Sequence, residues 1–307
     1  MASELPSGSL AAVLTPLTNR SEVDHVALHS LITTIAAAGV TGVLVLGSSG
    51  EVASLSPAAR RAVVETATEA APPDVAVLVG VANQSQSAAL DDLDMIAASS
   101  AAAALVAPPF YVPLDQAAVA RFYEAAADRV DLPLLGYHIP AFTGIRLEPG
   151  TVRGLAVDGV LSGVKDSNRD LEYFQQIIAI GREIDTPWAT YIGTDSLLLP
   201  ALVLGATGGI TTVASVLPEW TAYLVDMARK GDYASASVAQ AELTNLILTL
   251  RRGVFPAGAK AALSILGLAG PDMMPPARAL DDKEIEQLKK DLKRNGVPVD
   301  ASEGARA

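Results

Sequence analysis

One alternation constrains this chain more than any other feature. An apolar run short enough for a single buried strand is followed by a stretch with helical spacing, and the pair recurs eight times between Leu10 and Lys230. The runs read as strands at residues 10–17, 40–46, 75–81, 102–107, 132–137, 160–165, 190–193 and 208–212. Helical spacing fills the gaps, at residues 23–39, 87–99, 114–130, 149–155, 171–184 and 197–204, and from Ser56-Pro57 onward, where Ser is an N-cap and Pro the first helical residue. Eight such units are what a closed (β/α)8 barrel requires, whereas an open doubly wound sheet of that many strands is large. The expected fold is therefore α/β, a (β/α)8 TIM barrel.

After residue 212 the alternation stops. Residues 217–230, 233–250, 257–266 and 282–293 are helical patterns with no strand between them, so a C-terminal helical extension is expected to pack on the barrel. The last of these places its acids first and its bases later, matching the helix dipole. The expected organisation is a barrel with the active site over residues 1–230, a helical domain over 231–300, and a polar tail, 301–307, too short to order itself.

Composition narrows the chemistry. Half of the 307 residues are hydrophobic, enough to bury a sizeable core, and there is no cysteine to form disulfides, thiolate metal sites or a thiol nucleophile. Apolar runs are all broken short of membrane length, and the first residues lack the basic and apolar blocks of a signal peptide, so a cytoplasmic location is expected. A net charge of −12 disfavours nucleic acid and anionic membranes as partners and leaves small molecules. His25 and His29 share a helical face, but no carboxylate joins them in the zinc-binding HExxH arrangement; no metal or other cofactor is expected.

Barrels of this kind carry their reactive groups at the C-terminal ends of the strands. The sixth run ends in Lys165, after Gly163 and before a turn-like Asp166-Ser167-Asn168. An ammonium against apolar walls loses hydration, which favours the free amine that attacks carbonyl carbon; the other reading is a stem covering the strand end while the head reaches water. The second run ends in Gly47-Ser48-Ser49-Gly50-Glu51, either a concave anion seat of hydroxyls and N–H groups or an ordinary glycine turn. Tyr137 ends the fifth as a proton relay or a core phenol. Near the seventh, Gly193, Asp195 and Ser196 suit a hydroxylated substrate, with a helix-capping role for Asp195 as the alternative. The eighth, through Gly208, Gly209, Ile210 and Thr212, lets backbone approach a ligand closely.

In this order the motifs resemble those of the dihydrodipicolinate synthase and N-acetylneuraminate lyase family, over nearly the whole chain. The resemblance implies that Lys165 forms a Schiff base with pyruvate, that Ser48 and Ser49 seat its carboxylate, and that Tyr137, in Tyr137-His138-Ile139-Pro140, shuttles protons in a relay with the hydroxyls of Ser48 and Tyr111. It also implies that Tyr111, in Pro109-Phe110-Tyr111, enters the site of a neighbouring subunit, so the protein is expected to be a homo-oligomer, a dimer or a tetramer.

Within that family the synthases carry arginine where this chain has Phe142, in Pro140-Ala141-Phe142-Thr143-Gly144. An apolar ring cannot hold the carboxylate of an incoming semialdehyde, and losing such a partner costs several kcal/mol. Sialate lyases have Gly-x-Asp-Glu where Gly193 and Asp195 are followed by Ser196, with Thr212 at the eighth-strand hydroxyl position. The expected activity is thus a class I aldolase or lyase joining pyruvate to a neutral aldehyde, acting on 2-keto-3-deoxy or hydroxy-keto acids. The alternatives are 4-hydroxy-tetrahydrodipicolinate synthase or a keto-deoxy acid dehydratase through the same imine, and a catalytically silent ligand-binding paralogue.

Overall fold

Burial with a period of two along each strand decides the architecture. In the first strand Leu10 and Ala12 belong to one buried apolar cluster and Ala11 and Val13 to another. Strands with two apolar faces need cover on both sides, which parallel strands joined by crossover helices supply. The computed structural model describes residues 5–299 and contains eight parallel strands: β1 (Gly8–Ala12), β2 (Gly42–Val45), β3 (Ala76–Val81), β4 (Ala103–Val106), β5 (Leu134–His138), β6 (Gly163–Asp166), β7 (Ala189–Ile192) and β8 (Gly208–Thr211). Each pairs with its neighbour in sequence and β1 pairs with β8, closing the barrel that the alternation predicts. The tail expected at residues 301–307 lies outside the described residues.

Leu10, Leu44, Leu78, Leu105, Leu135 and Ile210, all fully buried, fill the barrel interior. Tyr191 runs through the same layer, and its hydroxyl donates to the Pro6 carbonyl at 2.6 Å, which satisfies the polar tip at the end away from the strand C-termini. Helix starts follow local chemistry. Ser56 accepts from the Ala59 N–H at 3.2 Å with Pro57 at the first helical position, and Asp281 and Glu284 form a reciprocal capping box. Each such cap is worth about 1 kcal/mol.

Beyond the barrel helix Pro218–Arg229 lie the helices Tyr233–Leu250, Ala257–Ile265 and Asp282–Arg294. Their buried Leu243, Leu246, Leu263 and Leu288 belong to the same apolar cluster as the outer layer of the barrel. Among the described residues no helix is long and apolar enough to cross a membrane.

Several boundaries differ from the sequence pattern. β1 stops at Ala12 because the ladder to β2 ends there; Val13 N–H still donates to Leu44 O, but Thr15 turns aside to donate its hydroxyl to Gly50 O. β6 continues one residue past Lys165, so Asp166 is strand rather than turn, in register with His138 and Ile192. The helix expected to reach residue 184 ends at Ile180, capped at Gly181. One-turn helices at Pro140–Thr143 and Val213–Val216 follow β5 and β8. Four residues are too few to display a helical period, which is why the sequence does not reveal them.

Candidate active site

Strand alternation determines which side chains enter the barrel mouth. Tyr137 stands opposite Lys165 across the β5–β6 ladder, and the Lys165 ammonium nitrogen lies 4.7 Å from the centre of the Tyr137 ring. Lys165 is 3% exposed, so its stem does not carry the head out to solvent. Space for it comes from Gly193, where a Cβ would lie 2.8 Å from Lys165 Cε. The neighbouring strand residues point outward instead. His138 Nδ1 and Asp166 Oδ1 pair at 2.7 Å, both fully buried, and Asp166 Oδ1 also accepts from Asn168 N–H at 3.1 Å. That second bond fixes the turn that follows β6.

The turn after β2 closes on itself through Gly50 N–H to Gly47 O and Glu51 N–H to Ser48 O. Among the described residues the N–H groups of Ser48 and Ser49 have no backbone acceptor, the arrangement an anion seat needs. Ser48 Oγ lies 3.1 Å from Tyr137 Oη, and Ser49 Oγ lies 3.2 Å from Thr212 Oγ1. The hydroxyls thus link the β2 turn to β5 on one side and to the end of β8 on the other.

Asp195 is buried, and burial pushes its carboxyl above the usual range; the Val213 N–H, donating at 2.8 Å, opposes that shift. Its carboxylate accepts not from the turn it begins but from the first N–H of the short helix Val213–Val216, which follows the adjacent strand β8.

These groups surround a cavity of about 520 Å³. Of the residues expected from the sequence, Ser48, Ser49, Tyr137, Phe142, Lys165, Gly193, Asp195, Ile210 and Thr212 line it. Ser196 and Tyr111 do not. Ser196 follows Asp195 in a 3₁₀ turn, which sends successive side chains about 120° apart. Tyr111 is 89% exposed, at a positive φ of 85°. Phe142 and Phe255, with ring centres 6.4 Å apart, line both this cavity and a second, more apolar one of about 540 Å³, which Ser48 and Tyr137 also line.

Arg169 and Arg251, which the sequence pattern does not single out, also line this cavity. Arg169 could have been noticed as the next cation after the β6 turn; nothing local marks Arg251. Glu51 belongs to the β2 turn but faces elsewhere. It is ion-paired with buried Lys260, and its other oxygen accepts from Met274 N–H at 2.8 Å. His25, considered above for zinc, has Nδ1 2.8 Å from Thr66 Oγ1.

Comparison with known proteins gives one consistent result. The pattern of the dihydrodipicolinate synthetase family matches residues 5–295. An uncharacterised DapA-like lyase of Halobacterium salinarum is 36% identical over 262 residues, covering 85% of this chain and 84% of its own. A 4-hydroxy-tetrahydrodipicolinate synthase of Anaeromyxobacter dehalogenans is 29% identical over 293 residues, covering 95% and 98%. Among solved structures, YagE, a prophage protein of the dihydrodipicolinic acid synthase family from E. coli K12 in complex with pyruvate, superposes with a TM-score of 0.91 at 27% identity, covering 95% of this chain and 99% of that one.

Proposed function

Because this chain belongs to the dihydrodipicolinate synthetase family, we propose that it is a pyruvate-dependent class I aldolase or lyase acting on 2-keto-3-deoxy or hydroxy-keto acids. The observation that carries this reading is one cluster: Lys165 against the Tyr137 ring, with Ser48 Oγ 3.1 Å from the Tyr137 hydroxyl. The Lys165 amine adds to C2 of the keto acid, whose carboxylate rests on the Ser48 and Ser49 N–H groups. Tyr137 gives a proton to the departing C2 oxygen and water leaves, with Ser48 passing protons to and from the phenol. The resulting iminium draws electrons from C3. Loss of a C3 proton gives an enamine that attacks the aldehyde carbon, whose oxygen takes up a proton; in reverse, the C4 hydroxyl gives up its proton, the electrons of that C–C bond flow into the iminium, the aldehyde departs, and the enamine left behind regains a proton at C3. Water then adds to the iminium and releases keto acid and amine.

The relatives named as synthases favour a second reading, condensation of pyruvate with a semialdehyde through the same imine; Phe142 speaks against it. We further read the enzyme as cytoplasmic and oligomeric, with Tyr111 completing a neighbour's site, which suits its exposure here. A panel of 2-keto-3-deoxy and hydroxy-keto acids, scored by coupled detection of released pyruvate, tests the reading against condensation with aspartate semialdehyde. Cleavage of at least one of these acids is expected, and mixtures of Tyr111→Phe with Lys165→Ala chains should regain part of the activity lost by each. If only the semialdehyde reacts, the synthase reading stands; if nothing reacts, both fail.

A further inference from the structure

Arg169 and Arg251 enter the same cavity wall from opposite directions in the sequence. Arg169 comes from the turn after β6, which the Asp166–Asn168 bond and the Ser167 N–H to His138 O bond hold in place. Arg251 is the C-cap of the helix Tyr233–Leu250 in the C-terminal extension.

Neither guanidinium has a hydrogen-bond or ion-pair partner among the described residues. In a chain with a net charge of −12, carboxylates are not scarce. Arg252, the very next residue, pairs with Asp291 at 2.6 Å, and Arg60 pairs with Asp92 at 3.0 Å. The two cavity arginines instead lie within each other's field. Burial holds the Arg251 guanidinium below its usual range, the Arg169 charge adds to that, and buried Asp195 offsets it only in part.

The Arg169 backbone adds an independent sign. Its φ of +61° is a conformation that glycine adopts freely and a side-chain-bearing residue adopts at a cost. A costly backbone that presents an exposed, unpartnered cation to a cavity, within the field of a second unpartnered cation, is the arrangement of a site awaiting an anion.

We propose that Arg169 and Arg251 form the specificity clamp for the far end of the second substrate, and that this substrate bears an anionic group, carboxylate or phosphate, at the end remote from its carbonyl. The inference rests on the aldolase reading and names its substrate class. The keto acid carboxylate occupies the Ser48–Ser49 turn and the reacting carbon lies at Lys165. The distal anion then reaches the two arginines that line the same cavity. The neutral aldehyde that Phe142 alone suggests gives way to a charged one, because the cations stand elsewhere than the synthase motif puts its arginine.

The test compares kcat/KM, at saturating pyruvate, for glyceraldehyde, glyceraldehyde 3-phosphate and succinic semialdehyde. It uses the wild type, Arg169→Gly, Arg251→Gln and Arg251→Lys. The wild type should prefer one of the two anionic acceptors over the neutral one by about tenfold or more, and the identity of that acceptor tells phosphate from carboxylate. Arg169→Gly and Arg251→Gln should each cut the preference by about tenfold, and Arg251→Lys should retain part of it. Arg169→Gly relaxes the backbone, so its melting temperature should equal or exceed that of the wild type, which separates lost recognition from lost folding. A wild-type preference below tenfold, one that survives in both variants, or condensation of none of the three overturns the clamp. Borohydride trapping of pyruvate, run alongside, separates the two levels. A trapped wild type without acceptor preference sinks the clamp alone, and an untrapped wild type sinks the aldolase reading with it.

Discussion

Tyr137 has three relations at once: its backbone pairs with Lys165 in the ladder, its ring lies 4.7 Å from the Lys165 nitrogen, and its hydroxyl lies 3.1 Å from Ser48 Oγ. Replacing it by Phe keeps the first two and removes the third. Tyr137→Phe should therefore lower kcat by about 10²- to 10³-fold while leaving KM for pyruvate within about threefold, as loss of a general acid–base group does. Steady-state kinetics with any productive acceptor decides it; a kcat within about fivefold of wild type would remove the phenol from the proton path. That Lys165, Tyr137, Ser48 and Ser49 line the cavity was legible because each ends an apolar run or lies in the turn that follows one, and strand ends are where barrels present reactive groups. Asp166 was misread for the same local reason: a charged residue after a lysine looks like a turn until β5 is seen to extend to His138 and pair with it. Arg251 was not legible at all, since helical spacing says nothing about which barrel loop a C-terminal helix will cover.

At the scale of elements, a buried strut holds the β2 turn in place. Lys260, on the helix Ala257–Ile265, ion-pairs with Glu51 and donates to Asp272 O at 2.7 Å, while Met274 N–H donates to the other Glu51 oxygen at 2.8 Å. Burial pushes the Lys260 ammonium below its usual range and the Glu51 carboxylate pulls it back. Lys260 is buried, as Lys165 is, but it lines neither cavity beside Phe142 and its nitrogen is already engaged. Lys260→Met strands the Glu51 charge and should cost about 3–5 kcal/mol in denaturant unfolding. Adding Glu51→Gln should recover much of that, because the double variant buries no unpaired charge. A single-variant loss below about 1 kcal/mol would mean that the pair is not the strut described. The sequence could show Glu51 as part of a small-residue turn, yet its partner lies more than two hundred residues away in a helix of ordinary spacing. Long-range ion pairs leave no periodic trace.

The whole molecule is one-sided. Apolar side chains fill the barrel, Tyr191 is satisfied at one end, and Lys165, the hydroxyls, Asp195 and the two arginines gather at the other. The order of eight strand-then-helix units made this polarity readable from the sequence. The cover provided by the C-terminal helices, and the cations they bring, depended on packing that no local pattern records. Every later step depends on a covalent bond between Lys165 and pyruvate, and one measurement addresses that bond directly. Pyruvate and sodium borohydride are added to the intact protein, which is then weighed by mass spectrometry and digested for peptide mapping. One reduced pyruvate per chain should be found on Lys165, and Lys165→Ala should gain none. An unmodified wild type, or an adduct on Lys260 in place of Lys165, would contradict the account.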